Sequence, residues 1–149
     1  MEGSELERYE VKPIGRAEND YENEIPDDYK DRVTKIVIYE EYGDALLGIE
    51  EHSHIVILSW FHESDRTIHR VHPMADMDNP LTGVFATRSP VRPNPIAITV
   101  CELVDMEENI LHVKGLDVYN NTPIVDIKSY TTKYKIEGPK YPDWVPDRE

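Results

Sequence analysis

Short segments in which apolar and polar residues alternate recur along the sequence, and many of their apolar residues are β-branched. This pattern is typical of half-buried β-strands, because successive side chains of a strand point to opposite faces. Clear strands are predicted over 33–39, 53–61, 83–87, 96–104, 110–113 and 122–127, and weaker ones over 9–15 and 68–72. So many short strands predict a mainly β chain folded as a single small β-barrel, because a closed sheet leaves no edge unpaired.

The segments between these strands predict turns and little helix. Only residues 44–50 have the pattern of a short helix, and turn-forming residues cluster at 78–80, 93–95 and 120–121. A chain of 149 residues has room for one domain. We expect an acidic extension over 1–8, the barrel domain with its short helices over 9–137, and an extended C-terminal tail over 138–149.

The first residues and the cysteine count indicate where the protein works. Residues 1–10 hold four glutamates and one arginine, whereas a secretory signal needs a basic stretch followed by an apolar one. Cys101 is the only cysteine, which excludes an intramolecular disulfide and a cysteine-rich zinc site. No apolar run approaches the roughly 20 residues of a membrane helix. We therefore expect a cytoplasmic protein that does not enter a membrane.

The charge is strongly acidic but unevenly distributed. Thirty acidic residues against sixteen Lys and Arg give a net charge of −14, and a protein that binds phosphates gains affinity mainly from Lys and Arg. Residues 81–101, however, contain Arg88 and Arg92 and no acidic residue. A phosphate-bearing partner such as RNA is expected to bind at this positive segment.

The same segment contains a proline-rich loop, 88–95, directly after a predicted strand. Its three prolines restrict the backbone and hold Arg88, Ser89, Arg92 and Asn94 in place. A stiff surface connection with solubilising arginines is the alternative. We favour a binding loop, because two arginines in an acidic chain lie beside an amide that can pair with a base edge.

A second candidate segment spans 115–130. Asp126 and Lys128 are two residues apart on a predicted strand and so point to one face, where they form either part of a cleft or an ordinary exposed ion pair. Asp117 ends the preceding strand beside Asn120 and Asn121, which suits either a turn cap or a ligand hydroxyl.

Five of the six histidines lie in one region of the sequence: His52, His54, His62, His69 and His72. The spacing of His52 and His54 is that of a metal-binding barrel. No Asp or Glu joins His54 and His62 at a regular ligand spacing, so we favour hydrogen-bonding histidines and predict no metal site. A metal-dependent barrel that uses His54, His62 and a further histidine stays open as an alternative.

These segments together resemble the TsaA-like family of β-barrel tRNA methyltransferases. The resemblance covers roughly residues 11–136 and is strongest over 83–96 and over 116–128. Shorter matches follow in the family's order at 14–15, 48–50, 53–54 and 61–62. The resemblance implies S-adenosylmethionine as cofactor, a homodimer, and methylation of N6 of threonylcarbamoyl-adenosine next to the anticodon of tRNA.

The resemblance also implies roles for individual residues. The cofactor would be bordered by His62, Glu63, Arg88, Ile98, Asp117, Val118, Tyr119 and Asn120. RNA or the partner subunit would be contacted by Arg92 and Asn94, and RNA by Tyr130. Position 63 is acidic where relatives often carry glutamine.

The expected chemistry needs a base and a group that binds an anion. The N6 lone pair of a carbamoylated adenosine is delocalised, so its proton should leave near the transition state, which favours a nearby carboxylate. Asp126 and Asp117 are the candidates, and Lys128 or Arg88 could hold the carbamoyl oxygen or the threonyl carboxylate. The alternative from another class is a non-catalytic dimeric module that binds a nucleoside or S-adenosylmethionine.

Overall fold

The chain folds as a closed six-stranded antiparallel barrel, which confirms the predicted fold class. The computed structural model describes residues 7–146. Its strands are β1 Gly15–Glu18, β2 Val33–Ile38, β3 His54–Trp60, β4 Arg70–Val71, β5 Thr82–Gly83, β6 Ile96–Glu107, β7 Ile110–Lys114 and β8 Pro123–Ser129. The barrel order is β1-β2-β7-β6-β3-β8, and pairing of β8 with β1 closes it. Strands β4 and β5 form a separate small hairpin within the long connection from β3 to β6.

The helical segments between residues 7 and 146 are all short 3-10 turns. They are Tyr29–Asp31, Glu40–Leu46, Ile49–Glu51, Pro73–Ala75, Val84–Ala86 and Thr132–Tyr134. The helix predicted over 44–50 is therefore two 3-10 segments, because Gly48 between them adopts a left-handed conformation with φ of 89°. None of the helical segments among the described residues has the length and apolarity to traverse a lipid bilayer.

Two predicted strands differ from the structure. Residues 83–87 are only the end of β5 followed by a turn, because the Thr87 N–H and hydroxyl both donate to the Val84 carbonyl oxygen. Along 9–15, strand pairing starts only at Ile14, whose N–H donates to the Ile124 carbonyl, since Pro13 before it has no N–H to contribute. Strand β1 thus begins where the predicted strand ends.

The core fills the barrel interior with alternate residues of the strands. Its fully buried large side chains include Ile36, Ile38, Ile55, Ile57, Leu111, Val113, Leu116, Val118 and Ile124. Burying each such side chain stabilises the fold by about 1.5–3 kcal/mol. The alternation that predicted the strands is therefore the pattern of inward and outward side chains.

The strand directions divide the barrel into two ends with different contents. At one end, here the loop end, lie the connections 19–32, 61–95 and 115–122. At the other, the cap end, lie the connections 39–53 and 108–109 and the chain that follows β8. The predicted tail is irregular after residue 134 as far as the description extends, and Trp144 is half-buried. The predicted extension over 1–8 falls almost wholly outside the described residues.

Two bulges change which side chains point outward. In β6 the register shifts between Leu103 and Asp105, so Val104 is the extra residue. In β8 the shift opposite Leu58 and Ser59 makes Val125 the extra residue. As a result Ile124 and Ile127 both pack inward although they are three residues apart.

Candidate functional site

Most residues predicted to border the cofactor converge on the loop end. His62 and Glu63 directly follow β3, and the proline-rich loop directly precedes β6, its neighbour in the barrel. The Phe61 N–H donates to the Pro95 carbonyl at 2.9 Å, which joins the two connections. Arg66 strengthens this joint.

Arg66 is a residue that the sequence interpretation missed. Its Nε donates to the Pro93 carbonyl at 2.7 Å and its Nη2 to the Asn94 Oδ1 at 3.1 Å. Its guanidinium carbon also lies 5.2 Å from the centre of the Trp60 ring, within the range of a cation–π contact. No motif marks an arginine in this role, so only the folded loop identifies it.

The proline-rich loop is held by hydrogen bonds of its own side chains. Arg92 Nη1 donates to the carbonyls of Thr87 and Ser89, at 3.1 and 3.0 Å. The Val91 N–H donates to the Ser89 hydroxyl. Arg92 therefore supports the loop, and its Nε and Nη2 carry three further N–H donors. Arg88 is exposed.

The turn 117–120 presents every second side chain to solvent. Val118 is buried, whereas Asp117 and Tyr119 are exposed. The Thr99 hydroxyl of β6 donates to the Asp117 Oδ1 at 3.0 Å, so this carboxylate is held by the barrel wall. Burial and, secondly, the negative charge of Asp117 raise the pKa of the Cys101 thiol to about 12. Cys101 is thus a core residue and not a nucleophile.

Asp126 and Lys128 share the outer face of β8, as predicted. Asp126 Oδ2 lies 3.2 Å from Lys128 Nζ, and both side chains are about half exposed. Asp126 is opposite Leu58, which is in turn opposite Ile98 of β6. Two strand spacings, roughly 10 Å, therefore separate Asp126 from Ile98. The aspartate-bearing strand and the proline-rich loop lie on the same side of the barrel.

Tyr130 lies apart from the other residues predicted to contact RNA. It follows the end of β8 at the cap end, where its ring centre lies 6.4 Å from that of His54. Arg92 and Asn94 are at the loop end. Within one chain the length of β8 separates the two groups.

The outer face of β6 and β3 is apolar. Ile96, Ile98 and Val100 are each 40–48% exposed in adjacent outward positions. They lie opposite Trp60, Leu58 and Val56 of β3. Leu58 and Trp60 are half-buried and Val56 is buried, so the exposed part of this surface lies mainly on β6. An exposed apolar patch of this kind is typical of a protein–protein contact.

The histidines do not assemble around a common point. His54 begins β3 and His62 follows its end, so the length of the strand separates the two histidines of the metal alternative. Among residues 7–146, one group has metal-ligating atoms within 4.8 Å of one another: Asp105, Glu107 and His112. Lys35, a positively charged residue, is the register partner of His112 on the neighbouring strand.

Two cavities, of about 330 and 650 Å³, open at the cap end. The smaller is lined mainly by apolar residues, including Ile14 and Leu46, with Asp126 and Lys128 among its polar residues. The Nδ1 atom of His52, which also lines it, is buried without a hydrogen-bond partner. Neither cavity contains the residues predicted to border the cofactor.

The comparisons with known proteins agree with the resemblance seen in the sequence. Residues 20–135 match the family model described as the tRNA-methyltransferase O N-terminal domain. The chain belongs to this family.

The tRNA-methyltransferase O fold also appears in solved structures that the chain resembles. It is 26% identical to TrmO from Pseudomonas aeruginosa, with a TM-score of 0.73 over 91% of this chain and 62% of that one. A second crystal structure of TrmO gives a TM-score of 0.76 at 26% identity, over 95% and 66% of the two chains. The chain thus spans just under two thirds of these solved TrmO chains.

Two archaeal relatives match over most of their length. The chain is 40% identical to a probable S-adenosyl-L-methionine-binding protein of Methanocaldococcus jannaschii over 129 residues, 84% of this chain and 94% of the relative. It is 39% identical to an S-adenosyl-L-methionine-binding protein of Archaeoglobus fulgidus over 125 residues, 81% and 88% of the two chains.

Proposed function

We propose that this chain is an S-adenosylmethionine-dependent tRNA methyltransferase that acts on N6 of threonylcarbamoyl-adenosine next to the anticodon. The observation that carries the proposal is the convergence, at one end of the barrel, of the connection after β3, the proline-rich loop and the turn 117–120. Relatives named for binding S-adenosylmethionine and a family named for tRNA methylation support it. We further propose that the protein acts in the cytoplasm.

The residues at the loop end suit S-adenosylmethionine in their chemistry. The exposed Asp117 carboxylate, anchored by Thr99, can accept hydrogen bonds from hydroxyl or amino groups. Arg88 can pair with a carboxylate, and Ile98 offers an apolar surface. When bound, the cofactor supplies an electrophilic methyl group on a sulfonium. His62, Glu63, Val118, Tyr119 and Asn120 would complete its surroundings.

In the proposed reaction the chain positions the adenine of the substrate and removes the proton from its N6. We assign proton removal from N6 to Asp126 or Asp117. We assign to Lys128, 3.2 Å from Asp126, or to Arg88 the binding of the carbamoyl oxygen or the threonyl carboxylate. Holding the two reactants together contributes much of the rate increase. A substrate that brings its own anion to a lysine or arginine needs fewer phosphate contacts, which suits an acidic protein.

A homodimer would complete this site. Ile98 lies on the exposed apolar face of β6 and β3, so a second chain that covers the face would border the cofactor residues. We expect Val100→Glu to shift the protein from dimer to monomer, because it places a charge within the apolar contact. Light scattering after size-exclusion chromatography measures this. Val33→Glu, equally exposed but on β2 across the barrel, is the control; a dimer that survives Val100→Glu contradicts this interface.

The positive loop predicts a salt-dependent contribution to tRNA binding. We expect Arg92→Ala to weaken tRNA binding and to reduce the slope of log affinity against log salt by about 1, the effect of one phosphate contact. Arg92→Lys should keep the slope, which separates the charge from the support that Arg92 gives its loop. Lys35→Ala, at an exposed position on β2, is the control. An unchanged slope for Arg92→Ala argues against the loop as an RNA contact.

The decisive experiment is methyl transfer itself. Purified protein, labelled S-adenosylmethionine and tRNA that carries threonylcarbamoyl-adenosine should give label on that nucleoside. Mass spectrometry of tRNA from cells that lack the protein should show loss of the methylated nucleoside. Binding of S-adenosylmethionine without transfer would instead support the non-catalytic module, which the relatives' names also allow.

A further inference from the structure

Asn19, the first residue after β1, makes four hydrogen bonds, two of which reach the turn 117–120. Its Nδ2 donates to the Val118 carbonyl at 3.0 Å and to the Thr34 hydroxyl at 3.2 Å. Its backbone N–H donates to the Asn120 Oδ1 at 3.1 Å. Its Oδ1 accepts the Tyr21 N–H at 2.9 Å. All four hydrogen bonds are partly buried, so each is partly shielded from water.

Other hydrogen bonds run in the opposite direction, from residues in and beside the turn to β1 and the β1–β2 connection. The Asn120 N–H donates to the Tyr21 carbonyl at 2.8 Å, and the Asn121 N–H donates to the Ala17 carbonyl at 2.9 Å. Asn120 Nδ2 lies 3.3 Å from Glu22 Oε1. The β1–β2 connection and the turn therefore interlock through bonds from both sides.

These hydrogen bonds matter because the backbone directly after the turn has an uncommon conformation. Asn121 has φ of 69°, a left-handed conformation uncommon for a residue with a side chain. Thr122, two residues after the turn, is joined to Tyr119 because its N–H and hydroxyl both donate to the Tyr119 carbonyl. Asn19 binds the carbonyl of Val118, between the two exposed residues Asp117 and Tyr119. It thus fixes the backbone from which both exposed side chains project.

We propose that Asn19 is a positioning residue for the cofactor site: its side-chain amide holds the turn 117–120 in the conformation that receives S-adenosylmethionine. This inference rests on the proposed function, because it assigns the turn to that cofactor. Asn19 itself acts through the turn and contacts no reacting atom. The β1–β2 connection and the cofactor turn are then one functional unit, although about 100 residues apart in the sequence.

The test substitutes the donor without changing its size. In Asn19→Asp a carboxylate oxygen replaces the Nδ2 group and faces the Val118 carbonyl, so an attraction becomes a repulsion. We expect the Kd for S-adenosylmethionine, measured by calorimetry, to rise at least about tenfold. The KM for the cofactor should rise in parallel, while kcat at saturating cofactor changes less than about twofold.

Asn109→Asp at the cap end is the matched control. Asn109 Nδ2 likewise donates to a backbone carbonyl, that of Ile38. We expect this variant to lower the melting temperature without changing the Kd for the cofactor. If Asn19→Asp lowers only the melting temperature, or if both variants raise the Kd equally, Asn19 is merely structural and the inference is wrong.

A measurement on the unchanged protein covers the case in which Asn19→Asp does not fold. Addition of S-adenosylmethionine should slow hydrogen exchange of the Asn120 and Asn121 amides at least about tenfold, and leave that of the Ile38 amide at the cap end unchanged. If the cofactor binds without protecting the Asn120 and Asn121 amides, the inference about Asn19 is wrong and the proposed function is unaffected. If the unchanged protein binds no S-adenosylmethionine, the proposed function falls with it.

Discussion

The Asp126→Asn variant is expected to bind S-adenosylmethionine and tRNA as the unchanged protein does, and to transfer methyl groups about 100-fold more slowly or worse. A general base contributes about 10²–10⁴-fold to a rate, and an amide cannot accept the N6 proton. The substitution keeps the shape of the side chain, whose Oδ1 accepts the Ile127 N–H at 2.8 Å. Single-turnover transfer, with separate titrations of cofactor and tRNA, measures the rate and both affinities.

The control for Asp126 has the same local geometry elsewhere. Asp105 also accepts the N–H of the next residue, Met106, at 2.8 Å. It lies on β6 beyond the bulge at Val104, away from the proline-rich loop. Asp105→Asn should transfer methyl groups at the unchanged rate. If Asp117→Asn loses the rate and Asp126→Asn does not, the base is Asp117 and the role assigned to Asp126 is wrong.

Replacing Gly15 by alanine is expected to lower the free energy of unfolding by about 3 kcal/mol, the upper end of the usual cost of overpacking. A Cβ there would lie 2.3 Å from the Val37 carbonyl oxygen and 3.0 Å from the Ile38 Cα. These are backbone atoms of β2 and cannot rotate away. Gly15 pairs with Ile38 on one side and Ile124 on the other, so the shift would strain the closure of the barrel.

Chemical denaturation measures this loss, which is a large share of the roughly 5–15 kcal/mol that stabilises a typical domain. Gly43→Ala is the control, because a Cβ at Gly43 would meet no atom within 4 Å. It should change the stability by less than about 0.5 kcal/mol. Equal stability of the two variants would contradict the tight packing of β1 against β2.

The barrel was predictable because its strands carry a simple pattern. Inward side chains such as Leu111 and Val113 are apolar and alternate with the outward His112 and Lys114, so the alternation locates β7 to within a residue at each end. The apolar content misled at Val84–Ala86, where three consecutive apolar residues form a turn and not a strand. Closure of that turn depends on the Thr87 hydroxyl, which periodicity does not register.

The candidate site was predictable only where a motif marks it. The proline-rich loop and the turn 117–120 stand out in the sequence, and the structure places both at the loop end. Arg66 and Asn19 do not stand out, because their roles come from hydrogen bonds to backbone atoms that are distant in the sequence. Such bonds depend on where the loops fold, and the type of residue alone does not reveal them.

The extra residue at Val104 separates β6 into two parts that have different inside-outside phases. If a residue is gained or lost near the tight connection 108–109, the alternation of inward and outward side chains changes only between the bulge and that connection. The bulge at Val104 can compensate for the one-residue shift in register. Ile98 and Val100 then keep their orientation. The hairpin of β6 and β7 can therefore diverge among relatives while the half of the strand beside the proline-rich loop stays in phase.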